Sequence, residues 1–283
     1  MIFNKIKDRI GNYDGSIGIC YINLRTGNNC SVGNCDVFPA SGMVKLLVLI
    51  EAFRRIEEGT LKKTDRYILK EEDYPKSREK TYGALEYLHV GTEVTVEDLY
   101  KLNAITSDNM AFNILLKLFG QEEVNRTIQK YGCRKTRINR ALLDDKESAR
   151  GVKNYVSVQE IANLLLRMEN GQIISRNASR EILSILCNHQ KVQILPYYFG
   201  ENMEIAHHSG FDEREIMDMG IVYCENPFIL CMAASADNTR DAESIMRDIT
   251  WMCYEHSKQL NQNRIGESGK LDLVHKNGPK NAK

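Results

Sequence analysis

The stretch Phe38-Pro39-Ala40-Ser41-Gly42-Met43-Val44-Lys45 runs directly into Leu46-Leu47-Val48-Leu49-Ile50. A proline and small residues ahead of an apolar run free of Gly and Pro read as a loop feeding a buried helix. That helix starts near Ser41 or Gly42 and stops at Gly59. A helix N-terminus offers unpaired N–H groups and the positive end of the helix dipole. A lysine one turn further on points back over that end. Small polar residues with a buried lysine at such a place suggest a nucleophile beside its base. The blander reading of Lys45 is a stem buried on an apolar helix with its amine reaching the surface.

Two more clusters follow in the chain, Ser107-Asp108-Asn109 and His208-Ser209-Gly210. In this order, and over most of the chain, the three clusters resemble the S-x-x-K, S-D-N and K-T-G motifs of class A β-lactamases and penicillin-binding proteins. The resemblance implies roles. Lys45 would serve as the base, Ser107 would relay a proton to the leaving nitrogen, and Asn109 would bind the substrate amide and support Lys45. The strand carrying His208, Ser209 and Gly210 would form the other wall of the cleft, with His208 and Ser209 facing a substrate carboxylate. The N–H groups of Gly42 and Phe211 would hold the oxyanion. The ligand implied is a β-lactam or peptide-like small molecule, with neither cofactor nor metal. Taken alone, Ser107 and Asn109 read equally as capping residues between helices. Of the adjacent His207 and His208, only one can line the cleft, because neighbours on a strand face opposite ways; register with the family's lysine favours His208.

The departures from the family pattern bear on activity. Three residues before Lys45 stands Gly42, where the family has its serine; Ser41 comes one residue early. Three readings stay open: an absent nucleophile, a displaced one at Ser41 reaching Lys45 at i, i+4 spacing, or a glycine substituted for a natural serine. His208 replaces the lysine of K-T-G, and a neutral imidazole is a poorer carboxylate anchor near pH 7. Class A enzymes carry an E-x-x-L-N segment whose glutamate drives deacylation. The corresponding stretch, Arg140 to Glu147, lacks it; Asp144 and Glu147 either substitute or are ordinary solvated loop charges. The favoured expectation is a catalytically impaired relative that retains a ligand-binding cleft. The alternative is an active serine acyl hydrolase, β-lactamase or D-Ala-D-Ala peptidase in type, using Ser41 with Lys45. A metal hydrolase ranks third, since the six histidines lack H-x-x-x-H spacing.

The elements that must position these residues follow from periodicity. Strand patterns occupy only the two chain ends: Ser16 to Ile22 with a return at Cys30-Ser31-Val32, then Ile205 to Gly210, Asp218 to Tyr223 and Phe228 to Ala234. Helical patterns fill most of the middle, including Met110 to Phe119 and Ser157 to Met168. Residues 137–155 read as a long charged connection. The expected fold is therefore mixed α/β (α+β). An antiparallel sheet built from 1–60 and 197–260 is flanked by helices, and an all-helical subdomain, 61–196, is inserted between its parts. Residues 261–283, polar and without periodicity, read as a disordered tail.

Equal numbers of acidic and basic residues, 38 each, give no global field for nucleic acid. No apolar run is long enough for a membrane span. Ile2, Phe3, Ile6 and Ile10 make an amphipathic N-terminal helix rather than a signal peptide. The expectation is a cytoplasmic monomer, or a secreted one whose export segment has been removed. The eight cysteines are scattered, with no C-x-x-C pair, which fits mostly free, buried thiols better than zinc.

Overall fold

The structure, a computed structural model, describes residues 2–75, 82–200 and 203–275, with side chains up to residue 260. The chain opens with α1 (Ile2–Ile10), β1 (Ser16–Asn23), β2 (Asn29–Gly33) and the short β3 (Phe38–Pro39). A 3-10 turn, Ser41–Val44, leads straight into α2 (Lys45–Glu57). Next come β4 (Arg66–Ile68), β5 (Glu93–Thr95), α3 (Val96–Ile105), α4 (Asn109–Phe119), α5 (Gln121–Lys130), α6 (Asp145–Ala149) and β6 (Tyr155–Val156). The chain closes with α7 (Val158–Glu169), α8 (Arg176–Leu186), β7 (Ile205–Phe211), β8 (Glu215–Val222), β9 (Phe228–Ser235) and α9 (Arg240–His275).

Strands from the two chain ends share one antiparallel sheet in the order β2-β1-β9-β8-β7. Its centre is the pairing of β1 with β9, where Cys20 faces Cys231, and its edge at β7 is held by β8, where Ser209 faces Asp218. Nearly every residue of β1, β8 and β9 is buried, because helices cover both faces. On one side Ile6, Ile19, Leu230, Met246 and Ile249 join the sheet to α1 and α9. On the other, Leu47, Ala206, Ile221 and Ala233 share a core with the helical middle of the chain. Alternation along β7 sends Ala206, His208 and Gly210 to the helical side and Ile205, His207 and Ser209 to the opposite side.

Local rules set the helix starts. Thr95 and Asp98 form a reciprocal capping box before α3, and Ser157 caps α7 through Glu160 N. The stretch read as a long charged connection contains α6 and ends on the first residue of β6. Strand β6 pairs with β3 through Phe38 opposite Val156. Two-residue strands and a one-turn helix carry too little periodicity to stand out against polar surroundings. The backbone over 261–275, read as tail, continues α9, while residues 276–283 of that tail lie outside the described residues. Extending an existing helix gains one hydrogen bond per residue fixed. Gly266 and Gly269 weaken that extension by only about 1 kcal/mol each. All eight cysteines are unpaired thiols, and Cys20, Cys133, Cys231 and Cys253 are buried.

Candidate active site

Helix α2 is the centre of the helical side, and its first turn is fixed from both directions. Ala40 N donates to Asn154 O at 2.8 Å, tying the entry to the β6 segment, and Asn103 Nδ2 donates to Lys45 O at 3.0 Å from α3. Ser41 adopts a left-handed backbone, φ 44°. The turn then presses against β7 so closely that a Cβ on Gly210 would lie 3.1 Å from Gly42 N and 3.2 Å from the Ser41 Cβ. A side chain at 210 would push the two elements apart by a few tenths of an ångström.

Lys45 projects from this turn into the space between α4 and β7. Its Nζ donates to Ser107 Oγ at 2.9 Å and to Asn109 Oδ1 at 2.7 Å. The amine is wholly buried, and burial brings its pKa down to about 7; the charge of Lys191 adds to that effect and Asp108 opposes it. Ser41 makes no hydrogen bond to Lys45. Ser107 also has a left-handed backbone, φ 57°, so two of the residues around the amine hold conformations that non-glycine residues seldom adopt.

The S-D-N segment owes its shape to Asp108. Its Oδ1 accepts Ala111 N at 2.8 Å as the N-cap of α4, and its Oδ2 accepts Ala84 N at 2.6 Å and Leu85 N at 2.8 Å. Gly83 has φ 134°, and a Cβ there would lie 2.2 Å from the Asp108 carboxylate. Asn109 N donates to Tyr82 O at 2.8 Å, which brings Tyr82 alongside the cluster.

Gly42 adjoins the Lys45 cluster. A Cβ built on it would lie 3.5 Å from Ser107 Oγ, 3.6 Å from Gly210 Cα and 3.3 Å from Ser209 O. Its backbone does not require glycine, and a side chain there would sit beside the Ser107 hydroxyl with a shift of a few tenths of an ångström.

On β7, His208 is buried and neither ring nitrogen has a hydrogen-bond partner. Burial, then the neighbouring His189, hold its pKa well below the usual histidine range, so the position carries no charge. The two rings lie 4.5 Å apart. His189 follows α8 and was not singled out by sequence; its Nδ1 donates to Ala104 O at 2.7 Å. Burial first, then His207, takes its pKa to about 3. Its Nε2 is therefore an acceptor, and Ser209 Oγ donates to it at 3.0 Å. His207 turns the other way and donates from Nδ1 to Asp218 Oδ1 at 2.8 Å.

The loop after α5 meets α4 at one point. Asn113 Nδ2 donates to Leu142 O at 2.8 Å and its Oδ1 accepts Leu142 N at 2.9 Å. The residue so clamped carries no carboxylate. Asp144 caps α6 through Glu147 N, and Glu147 pairs with Arg150. The two carboxylates weighed for deacylation thus have structural partners. Among the described residues no group of three His, Cys, Asp or Glu could hold a metal ion.

The structure thus brings together Gly42, Lys45, Ser107, Asn109, His208 and Gly210, with Ser41, Ser209 and Phe211 at the margin. It also adds residues that sequence reasoning missed: His189, Tyr82, Asn113 and Lys191. None of these carries a motif signal: His189, Tyr82 and Lys191 come from loops, and Asn113 is one more polar residue within α4.

A five-stranded antiparallel sheet packed between helices in this order is the fold of the β-lactamase-like serine hydrolases. Residues 1–257 match the β-lactamase enzyme family, and the chain belongs to that family. β-Lactamase CARB-4 of Pseudomonas aeruginosa is 24% identical over 220 residues, spanning 76% of this chain and 75% of the relative. Among solved structures, PBP-A superposes with a TM-score of 0.81 at 24% identity, covering 91% of this chain and 96% of the other. A β-lactamase from Sphaerobacter thermophilus gives a TM-score of 0.82 at 22% identity, covering 91% and 97%. A variant of PBP-A has been solved as an acyl-enzyme with penicillin G.

Proposed function

We propose that this chain retains the acyl-transfer cleft of its family as a binding site for a β-lactam or peptide-like acyl compound, and that as written it turns such a ligand over barely, if at all. The observation that carries this reading is the Lys45 amine, hydrogen-bonded to Ser107 at 2.9 Å and Asn109 at 2.7 Å, beside a residue 42 that has no hydroxyl. In this reading Lys45 is the base, Ser107 passes a proton to the leaving nitrogen, and Asn109 holds the ligand amide. The N–H groups of Gly42 and Phe211 receive the carbonyl oxygen, and His208, Ser209 and Gly210 line the far wall.

An amine with a pKa of about 7 is partly free to accept a proton at neutral pH, but no oxygen stands at the position it would activate. A displaced serine is a weak substitute. A misplacement of ~1 Å can lower a rate about 10²-fold. Ser41 lies on the side pressed against Gly210.

The test is intact mass spectrometry after incubation with penicillin G. The chain with Gly42 is expected to gain no mass, and Gly42→Ser to gain one penicilloyl group that is slow to leave. A stable adduct mapping to Ser41 of the chain with Gly42 would establish the active-hydrolase reading. An unlabelled Gly42→Ser would show that the cleft no longer supports acyl transfer.

A further inference from the structure

The family places a lysine where this chain has His208, and that ring is neutral and without a hydrogen-bond partner. A cleft that binds a carboxylate needs a cation elsewhere. The mouth of the site supplies a candidate. Lys191 Nζ lies 4.1 Å from the centroid of the Tyr82 ring and 5.6 Å from that of Phe211. These rings belong to opposite walls. Tyr82 is joined to the S-D-N wall through its carbonyl and Asn109 N, and Phe211 follows His208-Ser209-Gly210 on β7.

The lysine is well anchored at its base. His189, two residues upstream, is held by Ala104 O, and Gln190 N donates to Ile105 O at 2.9 Å. Its charge is felt by Lys45, His189 and His208, which places it over the same cluster. No described carboxylate pairs with it. An ammonium half-buried against two aromatic faces is partly desolvated, and among the described residues its partners are ring quadrupoles rather than a carboxylate. A carboxylate entering the cleft offers it a stronger partner.

We propose that Lys191 is the cation by which this cleft recognises the carboxylate of its ligand, and that in the free protein it bridges Tyr82 and Phe211 across the mouth. The function of that anchor has moved from β7 to the loop after α8. Ligand entry exchanges two cation–π contacts for one charge-assisted hydrogen bond and opens the rim. The inference rests on the acyl-ligand reading given above.

The test uses the Gly42→Ser chain with and without Lys191→Met, and compares penicillin G with its methyl ester, which lacks the charge. Losing a hydrogen bond to a charged group corresponds to about ten- to hundredfold. Acylation by the acid is expected to slow by that factor in Lys191→Met and to recover in Lys191→Arg, with the ester unaffected throughout. Equal slowing of acid and ester, or no slowing, overturns the proposal. If Gly42→Ser is not acylated at all, the acyl-transfer reading has failed, and a second arm still decides. In the chain with Gly42 and carbon-13-labelled lysine, the Lys191 Cε signal, identified by its loss in Lys191→Met, sits in the ring current of Tyr82. It should move on adding the acid and stay still with the ester. A signal indifferent to both refutes the anchor.

Discussion

At the scale of single residues, Lys45 links the cleft to the stability of the fold. Its folded pKa of about 7 lies below the value of 10.5 for a free lysine. The sign follows from which state binds the proton. Between these two values the unfolded chain is protonated and the folded chain is not, so stability rises with pH across that window. Below about pH 7 both states carry the proton and the folded state bears the full penalty of the buried charge, roughly 5 kcal/mol at 1.36 kcal/mol per unit. In Lys45→Met that penalty disappears. The stability of the variant relative to the parent chain should be highest below pH 7 and decline by ~1.4 kcal/mol per unit as pH rises through the window. Urea unfolding of both proteins at several pH values between 6.5 and 9.5 reads this difference, and the other titrating groups cancel. A difference that stays flat with pH would show that the amine keeps its proton in the folded state. Gly42 teaches a different lesson at the same scale. Its neighbours leave room for a Cβ, so glycine at this position answers no demand of the backbone.

At the scale of elements, what the sequence made legible is what has a period or a cap. The five sheet strands, the helices α2, α4 and α7, and the capping box before α3 follow from alternation, helical spacing and side-chain oxygen placement. The pairing of β3 with β6 did not, although it aims the turn at Ser41–Val44, because two residues carry no alternation. Lys191 and Tyr82 were equally silent, since loop residues that meet across a cleft are brought together by the tertiary fold alone. The S-D-N segment was visible as a motif, but the work of its central residue was not. Asp108 accepts three backbone N–H groups and is buried. Each donor stranded without water loses about 1–3 kcal/mol. Asp108→Ala should therefore destabilise the protein by at least about 3 kcal/mol, and Asp108→Asn by less, because one carbonyl oxygen remains. Denaturant midpoints of the two variants check this. A loss under about 1 kcal/mol in Asp108→Ala, the scale of an ordinary N-cap, would mean that the contacts to Ala84 and Leu85 contribute nothing.

At the scale of the whole molecule, the boundary between sheet and helices is sealed by neutral imidazoles. His189 ties the end of α8 to α3 through Ala104 O and to β7 through Ser209, and His208 lies beneath it on the helical side of the same strand. Protonating either one in place would put charge into a buried layer that already contains Lys45, with Lys191 at its rim. Both folded pKa values lie below the ordinary 6.5, that of His189 at about 3. Stability from this pair is complete above pH 6.5 and is lost as pH falls toward 3, because the unfolded chain takes up protons that the folded chain refuses. Two such groups give a slope of up to about 2.7 kcal/mol per pH unit. The resistance to urea should thus fall steeply between pH 6.5 and 4. His189→Gln can still donate to Ala104 O and accept from Ser209 without titrating, so it should reduce the steepness by about half while leaving stability at pH 7.5 little changed. If His189→Gln and the parent chain lose stability in parallel as pH falls, the acid sensitivity arises elsewhere, and the histidine layer is not what joins the edge of the sheet to the helices at low pH.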